Sequence, residues 1–178
     1  MRPQLKHAGI YVDDIDRMEQ FYTRVFDMVV TDRGQVPRLN NRRIVFMSAA
    51  PDAHHQMVLL SGKDPASGPS VVFQFSFILQ NLSELRTIRE RLEAEGAQDI
   101  KAICHGNAWS VYASDPEGNG LEAYLDTPWH VTQPHGVPFD LSKSDDEIHA
   151  WTLGYVKSDP SFMPRELWLE QQRAVIGH

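Results

Sequence analysis

An internal repeat is the feature that most constrains the fold of this chain. The segments HAGIYVDDI (His7–Ile15) and QFSFILQNL (Gln74–Leu82) share one pattern. In each, a polar residue opens an apolar strand, and Asp14 or Asn81 follows seven residues later, just before a helix. A repeat of this kind indicates two copies of one supersecondary unit, each stabilised by packing against its neighbour.

Each copy continues as one helix and three strands. The first helix is predicted over residues 15–27, with Asp14 or Asp16 as its cap, and the second over 83–95, with Asn81 or Ser83 as its cap. Met18, Phe21, Tyr22 and Val25 form the apolar face of the first helix. The strands are predicted at 28–33, 43–49 and 55–61 in the first copy and at 98–103, 109–114 and 120–125 in the second.

These elements predict one domain over residues 1–127, built from modules 1–62 and 70–127, and a C-terminal arm with helices over 128–178. A Gly-, Pro- and Ser-rich linker, Lys63–Ser70, joins the modules. Asp115-Pro-Glu-Gly-Asn predicts a tight turn between the last two strands of the second module. The proline-rich residues 127–141 predict an irregular arm, and helices follow near 144–157 and 164–176. This tail could cover a sheet, close the site or form a dimer contact.

Composition argues against nucleic-acid binding, intramolecular disulfides and membrane segments. The 178 residues include 17 basic and 24 acidic side chains, for a net charge of −7, which does not favour binding to nucleic acid. Cys104 is the only cysteine, so an intramolecular disulfide is excluded. The N-terminal sequence lacks the apolar core of a signal peptide, and the chain has no run of about 18 apolar residues. We therefore expect a cytoplasmic protein without membrane contact.

Four strings lie in an order that resembles the vicinal oxygen chelate superfamily, which includes glyoxalase I, extradiol dioxygenases and fosfomycin- and bleomycin-resistance proteins. They are KHAGIYV from Lys6, DAHHQMVLL from Asp52, DPEGNGLEAY from Asp115 and QPHGVPFD from Gln133. The repeat resembles this family over about residues 5–127, closest to its one-domain extradiol members. The resemblance implies an α+β fold, in which two tandem βαβββ modules form a cupped, partly open mixed β-sheet barrel, here followed by a C-terminal helical tail.

The resemblance also implies a divalent metal held by His7, Gln74 and Glu122. Extradiol members use two histidines and one carboxylate, and Gln74 departs from that set. An amide oxygen is a poorer donor than imidazole for Fe(II) but suits harder cations, and glyoxalase-like members use glutamine at an equivalent position. Fe(II) is the expected cofactor, with Mn, Zn or Ni as alternatives. The other interpretation is a site that has lost its metal.

Three further residues carry catalytic roles by the same resemblance. His55 corresponds to an acid–base histidine, whereas His105 and Tyr112 correspond to residues that contact substrate oxygens. The alternative for His55 is a loop histidine that caps a strand, and the alternative for Tyr112 is a tyrosine that packs on the sheet. For His130 and His135 in the arm we expect solvated loop histidines, one of which could reach substrate. Trp109 and Phe77 are expected in the core.

The leading hypothesis is an extradiol-type ring-cleaving dioxygenase, with a catechol-like substrate and dioxygen as its partners. A second hypothesis is a glyoxalase-like isomerase or lyase, which the glutamine ligand favours. The strand after His55 carries no carboxylate, which counts against a four-ligand glyoxalase site. A third hypothesis is a non-catalytic protein that binds a small molecule. By analogy with the family, a homodimer is expected.

Overall fold

The computed structural model describes residues 3–64, 66, 68 and 70–177. The chain divides into two compact units. The first comprises the described residues of Met1–Phe73, together with Arg91–Gln98 and Ser114–Gly120. The second comprises Gln74–Glu90, Asp99–Ala113 and the described residues of Leu121–His178. The predicted linker Lys63–Ser70 lies partly outside the described residues.

The helices and strands follow the predicted order closely. The first half contains β1 Ala8–Val12, α1 Ile15–Phe26, β2 Val29–Val36, a 3-10 turn Pro37–Leu39, β3 Arg42–Ser48 and β4 Met57–Ser61. The second contains β5 Phe75–Ile78, α2 Leu82–Ala94, β6 Gln98–Cys104, β7 Ala108–Ser114 and β8 Gly120–Asp126. The tail contains β9 Trp129–His130, β10 Val137–Pro138, α3 Asp145–Val156, β11 Met163–Pro164 and α4 Arg165–Ile176.

The first unit is a four-stranded sheet with one helix packed on it. Its strand order is β1-β4-β3-β2; β1 runs parallel to β4, and the other neighbours are antiparallel. Helix α1 begins where Asp14 accepts a hydrogen bond from the backbone N–H of Arg17 at 3.0 Å, as predicted. The helix packs against β2, β3 and β4 and buries the predicted apolar face.

The predicted turn at Asp115 is stabilised by a buried carboxylate within the first unit. Asp115 accepts hydrogen bonds from the backbone N–H groups of Glu117 and Asn119 at 2.9 Å, from the Asn119 amide at 2.7 Å and from the Tyr22 hydroxyl at 2.9 Å. Gly118 has φ +82°, which glycine adopts without strain. Burial raises the pKa of Tyr22, so its hydroxyl remains a donor.

The second unit contains a five-stranded sheet of order β10-β6-β7-β8-β5. Strand β5 runs parallel to β8, with Ser76 beside Glu122. The first strand of each copy therefore pairs in parallel with the last strand of the same copy. Helix α2 begins where Asn81 accepts from the backbone N–H of Glu84 at 2.9 Å. Mixed sheets combined with helices confirm the predicted α+β class.

The arm is expected to be irregular, but two parts of it form short strands that pair with other strands. Strand β10 pairs antiparallel with β6, placing Val137 beside Cys104, and β9 pairs with β11. Pro138 is tolerated because β10 is an edge strand, where a missing N–H removes no bond within the sheet. The prolines predict irregular structure, but they do not prevent a short strand at the edge of the sheet.

The tail helices confirm their predicted positions. Helix α3 starts with a capping box between Ser144 and Glu147. The Arg86 guanidinium donates to the carbonyls of Leu141 and Lys143 at 2.9 and 2.7 Å, which fixes α2 to the start of the tail. Among the helices of the described residues, none is long and apolar enough to cross a membrane.

Replacement of Tyr22 by phenylalanine tests the buried turn. We expect Tyr22→Phe to lower the free energy of unfolding by about 1.5–3 kcal/mol, because a hydrogen bond to a buried charged carboxylate is lost. Urea denaturation measures the change, with Tyr11→Phe as the control, since the Tyr11 side chain is 51% exposed. Equal stability of the two variants would contradict a structural role for this contact.

Candidate functional site

A buried carboxylate with four hydrogen-bond donors forms the centre of the candidate site in the second unit. Glu122 on β8 is only 8% exposed. Its Oε2 accepts from Gln74 Nε2 at 2.8 Å and from Ser76 Oγ at 2.6 Å. Its Oε1 accepts from Ser110 Oγ at 2.9 Å and from Tyr112 OH at 2.6 Å. A charge this deeply buried is stable only with such donors.

Strand geometry explains why these donors converge. Ser76 lies directly beside Glu122 in the β5–β8 register, and Gln74, two residues earlier, points to the same face of the sheet. Ser110 and Tyr112 likewise alternate on β7, which neighbours β8. Their common partner shows that Ser110 and Tyr112 point to one face of the sheet.

His105 extends the cluster through Tyr112. His105 Nε2 lies 2.9 Å from the Tyr112 hydroxyl oxygen, while its Nδ1 contacts the backbone carbonyl of His135. Because a carbonyl oxygen only accepts, Nδ1 carries a hydrogen. The Tyr112 hydroxyl has one hydrogen, which it donates either to Glu122 Oε1 or to His105 Nε2.

Tyr112 stays protonated in this arrangement. Burial first, and then its hydrogen bond and proximity to the Glu122 carboxylate, raise the pKa of Tyr112 well above its usual value. Its hydroxyl therefore acts as a neutral donor and acceptor between imidazole and carboxylate. The three residues can pass a proton along a fixed path without forming a tyrosinate.

A tight turn between β6 and β7 carries His105. The His105 N–H donates to the carbonyl of Ala108 at 2.8 Å. Gly106 has φ +77°, and a Cβ there would lie 2.6 Å from Val131 and 2.8 Å from Val156. Only glycine suits both this backbone conformation and this close approach. The turn is thus packed directly against the arm and α3.

Three histidines gather in the first unit. The rings of His7 and His55 have centroids 4.4 Å apart, and the Nδ1 atoms of His54 and His55 lie 2.9 Å apart. Burial, with repulsion from His7 and His54, lowers the pKa of His55. This shift favours the neutral imidazole, and the acid–base role of His55 stays a prediction.

The Gln74–Glu122 pair fits a divalent metal by its donor chemistry. Carboxylate and amide oxygens are donors that hard divalent cations take. A half-turn of the Gln74 amide would put its oxygen, rather than Nε2, beside Glu122 Oε2.

Within the described part of the chain, no three His, Cys, Asp or Glu side chains form a group that could hold a metal. The predicted ligand set contains only two such residues, because its third member is Gln74. His7 belongs to the first unit, whereas Gln74 and Glu122 belong to the second. The assignment of all three to one cation stays a prediction.

The structure adds residues to the predicted cluster and places others in the core. Ser76 and His135 are absent from the predicted site set, although Ser76 shares a strand face with Gln74, a signal that alternation provides. Trp109 is buried and donates to Thr152 at 2.8 Å, which confirms its core position. His130 is not a solvated loop residue, since its ring stacks on Trp168 with centroids 4.7 Å apart.

Substitution of the central carboxylate tests the cluster without any assumption about catalysis. Glu122→Gln replaces one accepting oxygen by an NH₂ group that faces two donors. We expect the free energy of unfolding to fall by about 2–3 kcal/mol, as measured by urea denaturation. The exposed Glu170 provides the control, and Glu170→Gln should change stability by less than about 0.5 kcal/mol. Unchanged or increased stability of Glu122→Gln would show that the carboxylate is not held by these donors.

Comparison with known proteins agrees with this fold. The model of the Glyoxalase/Bleomycin resistance protein/Dioxygenase superfamily matches residues 4–123. Biphenyl-2,3-diol 1,2-dioxygenase 2 of Rhodococcus globerulus is 26% identical, over 85% of this chain and 90% of that protein. Catechol-2,3-dioxygenase of Bacillus subtilis (strain 168) is 28% identical over 68% of this chain, but this match spans only 41% of that protein.

The solved structures are similar in fold at low sequence identity. The fosfomycin resistance protein FosX from Listeria monocytogenes, in complex with Mn(II) and sulfate ion, matches with a TM-score of 0.56 and 19% identity, over 71% of this chain and 95% of that chain. This likeness concerns the fold alone. Since the superfamily model covers most of the two repeated modules, the chain belongs to the Glyoxalase/Bleomycin resistance protein/Dioxygenase superfamily.

Proposed function

We propose that this chain is an enzyme that cleaves the ring of a small catechol-like substrate in an extradiol-type dioxygenase reaction. The observation that carries the proposal is the hydrogen-bonded series His105–Tyr112–Glu122, which places an imidazole nitrogen and a phenol hydroxyl beside a buried carboxylate. Two curated relatives named as dioxygenases of vicinal diols support this class of substrate. In the reaction, catechol and dioxygen combine, and both oxygen atoms enter the ring-opened product.

His105 and Tyr112 would bind and deprotonate the diol. The Tyr112 hydroxyl remains protonated, and its hydrogen would turn from Glu122 to one substrate oxygen. His105 Nε2, the ring nitrogen that faces Tyr112, accepts a proton from the neighbouring hydroxyl of the substrate or returns it to the product. Because Nδ1 is already occupied by a carbonyl, all proton exchange of His105 takes place at Nε2.

Gln74 and Glu122 would hold a divalent cation by their side-chain oxygens. When bound, the cation supplies Lewis-acid polarisation of the substrate oxygens, and a redox-active cation such as Fe(II) also supplies activation of dioxygen. Fe(II) is the first candidate and Mn(II), present in the FosX structure, is the second. The roles of His7 as a ligand and of His55 as an acid–base residue stay predictions, as do the homodimer and the cytoplasmic location.

A glyoxalase-like isomerase or lyase is the second candidate. The specific observation that favours it is the amide of Gln74 beside Glu122, in place of the imidazole that extradiol members use. Such chemistry moves protons without an oxidant, for which an oxygen-donor site with a hard cation is sufficient.

Reconstitution separates the two candidates. Protein loaded anaerobically with Fe(II) or Mn(II) is mixed with a panel of catechols, followed by 2,3-dihydroxybiphenyl, in air-saturated buffer. We expect one dioxygen consumed per yellow ring-opened product, measured with an oxygen electrode and by absorbance. A hemithioacetal panel tests the second candidate in parallel. Bound metal with no oxygen uptake on any diol would contradict the dioxygenase proposal.

The Gln74 position allows a gain-of-function test. We expect Gln74→His to raise the affinity for Fe(II) by about tenfold, because imidazole is the better donor to this cation. Gln80→His, at an exposed glutamine six residues later, is the matched control and should leave the affinity unchanged. Equilibrium dialysis with metal analysis measures both, and His7→Ala and Glu122→Ala show in the same assay whether each residue is a ligand. Equal affinities of the two histidine variants would contradict a metal site at Gln74.

A further inference from the structure

The ring of His105 is fixed from the side opposite Tyr112. Its Nδ1–H donates to the backbone carbonyl of His135, and its Nε2 faces Tyr112 OH at 2.9 Å. The neutral imidazole has two tautomers, and the partner of one nitrogen decides which is present. The carbonyl of His135 therefore selects the tautomer that leaves the Nε2 lone pair for proton exchange.

The ring of His135 is itself held at both nitrogens by the tail. Nδ1 lies 3.0 Å from Tyr155 OH on α3, and Nε2 lies 3.2 Å from Asp159 Oδ2. Since a carboxylate accepts, Nε2 carries the hydrogen and Nδ1 accepts from the Tyr155 hydroxyl. Hydrogen bonds from Ser161 hold the pKa of Asp159 below its usual range, so its charge persists at neutral pH.

The backbone on either side of His135 is also tied to the turn that carries His105. Gln133 donates from Nε2 to the carbonyl of His105 at 2.9 Å and accepts at Oε1 from the N–H of His135 at 2.8 Å. On the other side, Val137 pairs with Cys104 in the sheet. The backbone on both sides of His135 is thus bonded to the turn that carries His105 or to the strand before it. The two ring contacts of His135 hold this part of the arm further in place.

We propose that His135, Tyr155 and Asp159, which we call the arm clamp, are positioning residues that hold His105 in its active tautomer and orientation. The clamp gives the C-terminal arm and α3 a part in the site, although these elements lie beyond the region matched by the superfamily model. The inference rests on the proposed function only in that His105 exchanges a proton with substrate. The tautomer of His105 can be measured without any turnover.

Long-range ¹H–¹⁵N correlation spectra of ¹⁵N-histidine-labelled protein test the clamp directly. Spectra are recorded at about pH 8.5, where imidazole is neutral, and His105 is assigned from the signal lost in His105→Gln. In the wild type we expect a hydrogen on Nδ1 of His105. In Tyr155→Phe and Asp159→Ala we expect a mixture of tautomers, and Asp159→Asn, which keeps an accepting oxygen, should recover much of the wild-type population.

Kinetics with the diol that gives turnover provide the second readout. Loss of either clamp residue should lower kcat by about tenfold and change KM by less than about twofold, because orientation is affected more than substrate binding. Asp146→Asn, at an exposed carboxylate of the same helix, is the control for α3 and should match the wild type.

Three outcomes decide the matter. A hydrogen on Nε2 of His105 in the wild type at this pH would overturn the proposal, as would folded Tyr155→Phe and Asp159→Ala proteins with the wild-type tautomer and kcat. If one of these variants unfolds, as seen by thermal melting, the other is judged by the same criterion, and if both unfold the tautomer of His105 in the wild type decides. If no diol is turned over, the proposed function fails while the tautomer populations still test the clamp.

Discussion

The cost of burying the Glu122 carboxylate governs the organisation of the second unit. A charge that is 8% exposed must be met by donors from several directions, and here they come from the two strands that flank β8. Ser76 on β5 and Gln74 just before that strand reach one oxygen, and Ser110 and Tyr112 reach the other from β7. The carboxylate therefore couples the register of both neighbouring strands to the geometry of the site.

This coupling gives Gln74 a structural role beside its proposed role as a metal ligand. Gln74 serves as a hydrogen-bond donor through Nε2 and as a potential ligand through Oε1. The same side chain can stabilise the fold and contribute to the chemistry, which an apolar residue at this position could not do.

The sequence predicts the modules well because their signals are local. The helix that starts at Ile15 has its cap at Asp14 and an apolar face with a regular period, and the turn at Asp115 has residues suited to its backbone angles. The prediction of each copy is strengthened by the other, because the same pattern occurs twice. The family resemblance is strengthened in the same way, because it rests on four separate strings in the expected order.

The site could be predicted only in part. The family resemblance points to His105, Tyr112 and Glu122, but the role of His135 depends on pairing between β10 and β6, which lie more than 30 residues apart in sequence and involve a proline. Tyr155 and Asp159 give no local signal, because their function arises only when α3 lies beside the arm. Tertiary hydrogen bonds of this kind have no period along the chain.

The pairing of β10 with β6 also covers a strand that would otherwise form an edge of the five-stranded sheet. Strand β6 is next to last in its sheet, and only the two residues of β10 lie outside it. A version cut after β8 would expose the N–H and C=O groups of β6, and bare strands of this kind recruit other chains into continuous sheets. We therefore expect β10 to shield β6 from pairing with other chains, while Pro138, which has no N–H to donate, makes β10 itself a poor template.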